Sequence, residues 1–85
     1  MHALRFTTDR PMDTFPRALD QLRRMGFDLH RAVIADAMTE RARVRFMFSG
    51  GKAGAAATLR DRVAGMPGVV DASLCSLARD AAEAA

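Results

Sequence analysis

The glycine-rich stretch around Gly51 and Lys52 is the part of the sequence that comes closest to a phosphate-binding loop. Such a loop requires Gly, four residues and then Gly-Lys-Ser/Thr, so that its backbone cradles phosphates and the hydroxyl reaches magnesium. Phe46 stands where the first glycine is required, and Ala53 stands where the hydroxyl is required. The stretch therefore predicts a flexible connection between a strand and a helix rather than a nucleotide site.

Metal binding and nucleophilic catalysis would depend on a few residues that lie far apart in the sequence. His2, His30 and Cys75 are the candidate metal ligands, and no two of them have the spacing of a zinc site. Ser73 and Ser76 have no histidine near them in sequence to act as a base. The carboxylates are scattered and are interpreted as solvated surface groups, among them Asp20, Asp28, Asp36, Asp61 and Asp71. We expect no catalytic residue and no metal site.

The composition is that of one small folded domain. The chain has 85 residues, 49% of them apolar, and its 13 basic and 10 acidic side chains give a net charge of +3. This charge permits binding of nucleic acid or of an acidic protein and demands neither. A single cysteine allows no intramolecular disulfide, no apolar run follows a basic start, and no stretch approaches a membrane span. We therefore expect a cytoplasmic protein.

The first part of the chain predicts a strand followed by a helix. Residues 2–8 alternate between apolar and polar side chains, as a half-buried strand does. Asp13 or Thr14 is expected to cap the helix that follows, with Pro16 in its first turn. Gly26 is expected directly after the helix, where a residue with positive φ is common.

The rest of the chain predicts three more strands and one more helix. The alternation of residues 42–48 gives the clearest strand of the sequence, with Val44, Phe46 and Phe48 on one face. The other expected elements are a strand over 30–37, a turn over 38–41, a helix over 53–64, a strand over 69–77 and a tail over 78–85. The folded domain is thus expected to span residues 1–77.

The order of these elements, βαββαβ, predicts an α+β fold of the ferredoxin-like type. In this fold a four-stranded antiparallel sheet carries two helices on one face. The apolar positions expected to fill the space between the sheet and the helices are Leu4, Phe6, Leu19, Leu22, Val44, Phe46, Phe48, Leu59, Val63, Val70 and Leu74.

The opposite face of the sheet is expected to carry Arg5, Arg43, Arg45 and Met47. Arginine and methionine are enriched at protein interfaces, which makes this face a candidate partner surface, with a simply solvated face as the alternative. RNA-recognition domains share the strand and helix order but present aromatic rings on the open sheet face, where bases stack. No ring is expected on this face, so nucleic-acid binding is not favoured.

Three segments of the sequence have the pattern of a known family. Residues 12–27 combine a turn and an amphipathic helix, and they end in an Arg-x-Gly-Phe pattern at Arg24–Phe27. Residues 30–48 form a β-turn-β unit, and residues 58–73 combine a helix with a short exit into the last strand. These segments resemble ACT domains, and within that group the short, isozyme-II-like small subunits of acetolactate synthase, which are single ACT domains of this size.

The resemblance implies an amino-acid effector site, typically for valine, at the interface of an ACT dimer. The effector would meet the loop after the first strand and the start of the first helix, which in the family carries Asn/Asp-x-Pro-Gly. Here Met12 replaces the glycine, and Asp13 adds a negative charge at the helix start. The residues implied for the effector are Asp9, Pro11, Met12, Asp13 and Thr14, with Ala35 and Asp36 from the second copy.

The resemblance also implies a regulatory function without chemistry in this chain. A small subunit of this kind activates the large catalytic subunit of acetolactate synthase in branched-chain amino acid biosynthesis. The large subunit is expected to hold thiamine diphosphate, Mg²⁺ and FAD, and this chain is expected to hold no cofactor. A homodimer is expected, because ACT domains commonly pair side by side. A free-standing ACT amino-acid sensor and an RNA-binding ferredoxin-like module are the alternatives.

Overall fold

Four strands and two helices form the part of the chain that the structure, a computed structural model, describes, which is residues 1–37 and 41–76. In chain order they are β1 (His2–Thr8), α1 (Pro11–Arg24), β2 (Phe27–Ala35), β3 (Ala42–Gly50), α2 (Ala55–Ala64) and β4 (Val69–Ser76). This order confirms the expected βαββαβ succession. Most of the turn expected over 38–41, the expected last residue of β4 and the tail over 78–85 lie outside the described residues.

The four strands form one antiparallel sheet in the order β2-β3-β1-β4. In the central pair, β1 and β3, Leu4 lies opposite Phe46 and Arg5 lies opposite Arg45. Successive residues of a strand point to opposite faces, so these two pairs stand on opposite sides of the sheet. Both helices pack on the side of Leu4 and Phe46, which confirms the ferredoxin-like α+β fold.

The hydrophobic core lies between the two helices and one face of the sheet. Burying a large apolar side chain of this kind contributes roughly 1.5–3 kcal/mol. The expected core positions that are almost fully buried are Leu4, Phe6, Leu22, Val44, Phe46, Phe48, Leu59 and Val63. Two other expected positions, Leu19 and Leu74, pack against this core while remaining partly exposed.

Val70 does not belong to the core, and the prediction for this residue is wrong. Its exposed fraction is 51%. The pairing of β1 with β4 shifts between Arg5 and Thr7, near Asp71, which has a positive φ of 55°. This β-bulge breaks the two-residue alternation of β4, so Val69 packs against the core and Val70 stands opposite Thr7 on the other face.

Helix α1 begins at Pro11, with Arg10 as its N-cap residue and no side-chain cap. The prediction that Asp13 or Thr14 caps this helix is wrong, because both residues lie inside its first turn. Proline is favoured at the first helical positions, since its fixed φ suits the helix and its missing N–H costs nothing there. Because the helix begins earlier than predicted, Pro16 lies beyond the first turn, inside the helix. At this position its missing N–H removes one backbone hydrogen bond.

Strand β2 begins at Phe27, three residues before the predicted start at residue 30. Gly26 has a positive φ of 77°, as predicted for the residue after the helix, and Phe27 then pairs with Gly50 of β3. His30 lies in a second β-bulge, because the pairing of β2 with β3 shifts at that point. The extra residue of this bulge shifts by one position which residues of β2 face the helices. The sequence pattern did not indicate this bulge.

The outer surface of α1 is charge-compensated within the helix itself. Arg23 Nη2 donates a hydrogen bond of 2.7 Å to Asp20 Oδ1, and Arg24 Nε lies 2.7 Å from Asp20 Oδ2. The hydrogen bond from Arg23, together with the charge of Arg24, holds the pKa of Asp20 below its ordinary value. Arg17 Nε forms a further pair with Asp13 Oδ1 at 3.2 Å. These arginines therefore form ion pairs with carboxylates one turn earlier on the same helix.

Candidate interaction surface and effector loop

The open face of the sheet, which is the side that carries no helix, has a basic centre. Alternate residues of the two central strands form this centre, namely Arg5 and Thr7 of β1 and Arg43, Arg45 and Met47 of β3. The side chains of Arg5 and Arg43 are exposed, and those of Arg45 and Met47 are half-buried. The four residues predicted for a partner surface thus stand side by side on this face, and their role in binding stays a prediction.

The aromatic rings of β3 lie on the opposite side of the sheet, beneath the helices. Phe46 and Phe48 are both 0% exposed. The ring centroid of Phe46 lies 5.4 Å from that of Phe15 on α1, and the ring centroid of Phe48 lies 4.8 Å from that of Phe27. The prediction that the helices cover these rings is confirmed. The chain has no Trp or Tyr, and its five Phe all lie within residues 1–37 and 41–76. Because all five rings belong to the core or pack against it, the described part of the open face has no such ring for a nucleic-acid base to stack on.

Two arginines stand directly opposite one another on the open face. Arg5 of β1 pairs in register with Arg45 of β3, and Ser73 and Val33 continue the same row on the two outer strands. Side chains in this position have Cβ atoms roughly 4.5–5.5 Å apart, and like charges there destabilise the sheet. Among the residues that the structure describes, no carboxylate forms an ion pair with either guanidinium. Within residues 1–37 and 41–76, the two positive charges therefore have no ion-pair partner.

A shallow groove of about 460 Å³ crosses the same part of the open face. Its lining includes Arg5, Arg43, Arg45, Asp71 and Ser73. Arg43 Nη2 and Nε donate hydrogen bonds of 2.9 and 3.2 Å to Asp36 Oδ2 at the end of β2. Guanidinium and hydroxyl groups are donors to oxyanions, so the chemistry of this groove suits carboxylate or phosphate oxygens.

Thr14 is the one buried residue among those implied for the effector loop. It is 1% exposed, and its hydroxyl lies 2.9 Å from the hydroxyl of Thr8, which is 0% exposed. Thr8 Oγ1 also accepts a hydrogen bond of 3.0 Å from the backbone N–H of Arg10. These buried bonds tie the end of β1 to the start of α1 and fix the loop between them. The hydroxyl of Thr14 is thus engaged inside the domain rather than presented to a ligand.

The remaining residues of this loop offer little to the carboxylate of an amino acid. Met12 is 89% exposed, and Asp9 and Asp13 are exposed acids on either side of it in the sequence. Pro11, at the first helical position, has no N–H to donate. The N–H of Asp9 is used within the domain, in a hydrogen bond of 3.3 Å to the carbonyl of Gly68. A ligand carboxylate would meet negative side chains at this helix start, which opposes its binding.

Ala35 and Asp36, the residues implied for the other half of the effector site, lie at the end of β2. Ala35 pairs with Arg43 of β3, which in turn pairs with Thr7 of β1. Strand β3 therefore separates these two residues from the loop after β1. One chain does not bring the two groups together, and their meeting across a dimer stays a prediction.

A search of the solved structures finds a neighbour with the same arrangement of strands and helices. The crystal structure of the ACT domain from the GTP pyrophosphokinase of Chlorobium tepidum superposes with a TM-score of 0.71, over 87% of this chain and 95% of that one. The two sequences are 11% identical, so the likeness establishes the fold. This chain has an ACT-like fold. No protein-family model and no curated protein matches its sequence.

His30 and Ser49 form a histidine–serine pair of the kind that some catalytic sites use. His30 Nε2 lies 2.6 Å from Ser49 Oγ across β2 and β3. The sequence separates the two residues by 19 positions, and only the pairing of the strands brings them together. His30 is exposed and Ser49 is half-buried, and no carboxylate of the described residues hydrogen-bonds to the imidazole. A reactive serine needs a histidine that a third group orients, and this pair lacks one.

Two other kinds of site are missing from the part of the chain that the structure describes. No group of three or more His, Cys, Asp or Glu side chains there is placed to hold a metal ion. No helix there is long and apolar enough to cross a membrane.

Proposed function

We propose that this chain is a non-catalytic regulatory module, and that it acts as the small regulatory subunit of acetolactate synthase. The observation that carries the proposal is the burial of Phe46 and Phe48 beneath the helices. This arrangement leaves an outer sheet face of arginine and methionine without rings, which suits contact with another protein better than base stacking. The Arg-x-Gly-Phe pattern at Arg24–Phe27, which in this fold joins α1 to β2, supports the assignment to that family.

The proposed mechanism is conformational. The open face binds the large catalytic subunit and stabilises the arrangement in which that subunit is active. Coupling of this kind is a difference in binding free energy between two states of the partner, typically about 1–3 kcal/mol. Thiamine diphosphate, Mg²⁺ and FAD would be held by the large subunit, where pyruvate condenses with pyruvate or with 2-oxobutyrate. This chain contributes contacts and no reacting group.

We further propose that regulation by this chain does not depend on valine. The loop between β1 and α1 carries Asp9 and Asp13 around an 89% exposed Met12, and the hydroxyl of Thr14 is turned inward. A bound amino acid would bring its carboxylate close to these two acids, and the methionine side chain would occupy space that glycine leaves open. The short type of small subunit that this sequence resembles is likewise the type that activates without valine inhibition.

The proposed function predicts that the chain raises the activity of its large subunit. With the coupling given above, saturating chain is expected to increase kcat/KM of the large subunit about fivefold to a hundredfold. Acetolactate formation is measured with and without the chain, and each reaction is repeated with valine added. A rate that the chain leaves unchanged would contradict the proposed function, whereas activation that valine abolishes would contradict only its independence of valine.

We propose that the isolated chain forms a homodimer through an edge strand. β2 and β4 are the outer strands of the sheet, and their outer backbone groups are available for pairing with a second copy. Sedimentation velocity at micromolar concentration is expected to show a species of twice the chain mass of 9.2 kDa. Sedimentation as a monomer alone at that concentration would refute the dimer and leave the regulatory function to be tested separately.

A further inference from the structure

We propose that the open face binds an acidic segment of its protein partner, and that carboxylates of this segment are held between Arg5 and Arg45. This inference rests on the proposed function only in taking the large subunit as the partner. The binding chemistry itself follows from the charges, the shape and the register of the sheet.

The charge balance of the chain differs between its two sides. Several helix-side arginines have acidic partners in the chain: Arg23 and Arg24 bind Asp20, and Arg60 Nη2 lies 2.8 Å from Asp61 Oδ1. Arg62 of α2 instead donates a hydrogen bond to the neutral side chain of Gln21. On the open face, Arg5 and Arg45 face each other and have no ion-pair partner among the described residues. Two opposed cations weaken the sheet when the chain is alone, and a bound carboxylate would remove that repulsion. The pair is thus arranged to favour a complex with an anion.

The lining of the groove supplies the geometry for carboxylates. Each guanidinium presents a planar set of N–H donors that can hold a carboxylate in two parallel hydrogen bonds. Among the lining residues that the structure describes, Arg5, Arg43 and Arg45 carry positive charge, and Asp71 is the one acid, while Asp36 outside the lining engages Arg43. The net charge of the lining therefore remains positive after Asp71 is counted.

The shape of the face favours a segment of a protein over a small molecule. Small ligands bind in concave sites that enclose most of their surface, and this groove is shallow and open along the sheet. Apolar side chains flank the arginines on the same face, with Val33 beside Arg45 and the 51% exposed Val70 opposite Thr7. A combination of arginine, methionine and aliphatic groups is typical of the centre of a protein interface.

A second copy of this chain is a poor occupant for the face. In a two-fold dimer the same patch meets itself, so the arginines of one copy would be brought against the arginines of the other. The homodimer proposed above uses an edge strand and leaves the open face available. A nucleic acid would satisfy the charges, but the described part of this face has no phenylalanine ring on which a base could stack.

The first experiment measures binding of a fluorescein-labelled oligoglutamate peptide to the full chain by fluorescence anisotropy. The variant R5Q/R45Q removes the opposed pair, and R23Q/R60Q removes the same net charge from the helices. We expect R5Q/R45Q to weaken binding at least about tenfold and R23Q/R60Q to weaken it less than about twofold. Equal weakening by the two variants, or tighter binding of a single-stranded RNA than of oligoglutamate, would overturn the proposal.

A thermal melt separates lost binding from lost folding. Removing two like charges that face each other is expected to leave the melting temperature of R5Q/R45Q equal to or above that of the original chain. A lower melting temperature would mean that the arginines stabilise the isolated sheet, which would contradict the repulsion on which the proposal depends.

Binding to the large subunit then distinguishes this inference from the proposed function. If the original chain activates the large subunit and R5Q/R45Q activates it equally well at equal concentration, the inference fails and the proposed function stands. If the original chain does not bind the large subunit, the proposed function fails, and the oligoglutamate measurement alone decides whether the open face takes acidic segments.

Discussion

Replacing Phe46 with alanine is expected to lower the free energy of unfolding by about 3–5 kcal/mol. The ring is 0% exposed, and its centroid lies 5.9 Å from that of Phe6 and 5.4 Å from that of Phe15. Alanine would leave a cavity between the sheet and α1, because these neighbours are fixed by the strand and the helix that carry them. Urea denaturation followed by far-UV circular dichroism measures the change, since the chain has no Trp to report by fluorescence.

The control for this variant is the next residue of the same strand. Met47 points to the open face and is half-buried, so Met47→Ala is expected to cost less than about 1 kcal/mol. A domain of 85 residues has a total stability of roughly 4–13 kcal/mol, and Phe46→Leu is a milder variant if the alanine variant does not fold. Equal costs at positions 46 and 47 would show that the ring is not covered by the helices, and the outer face would then not be free of rings.

The contrast between these two neighbours shows why the sheet could be predicted from the sequence. The alternation of apolar and polar residues over 42–48 reports which side of β3 is buried, because neighbouring side chains of a strand face opposite ways. Turn signals such as Gly26, whose φ is 77°, mark where helices end. Together these signals predicted the element order, the layer arrangement and most of the core.

The errors arise where the local pattern is broken by contacts with other strands. The sequence pattern of β4 continues smoothly through Val70 and gives no sign of the bulge near Asp71, which is a property of the pairing with β1. At the start of α1, Thr14 is a good cap by residue type, yet its hydroxyl bonds to Thr8 in the adjacent strand. In both places a tertiary contact decides between local alternatives that are close in energy.

The sequence predicted which residues form the candidate partner surface, but it did not predict which of them lie opposite one another. The alternation placed Arg5, Arg43, Arg45 and Met47 on the outer face, and the fold brings them side by side. The direct opposition of Arg5 and Arg45 depends on the register of β1 against β3, which no local signal fixes. The same holds for His30 and Ser49, which meet only because the strands pair.

A large loss of stability is also expected when Gly51, in the connection between β3 and α2, is replaced by alanine. Gly51 has a positive φ of 74°, and a Cβ built there would collide with the ring of Phe27. Phe27 is 8% exposed and packs edge-on against Phe48, so it cannot move aside without disturbing the core. Gly51→Ala is expected to cost about 2–5 kcal/mol, which combines the penalty of a left-handed conformation with that of overpacking.

Gly54, three residues further on, separates these two penalties. Its φ is 82°, close to that of Gly51, but a Cβ there would have no neighbour within 4 Å. Gly54→Ala should therefore cost only the conformational penalty of about 1–2 kcal/mol, and the excess at Gly51 measures its contact with Phe27. Equal costs in urea denaturation would mean that Phe27 does not lie under this connection. In that case the glycines would form only a flexible link, and only the core residues of α2 would hold this helix against the sheet.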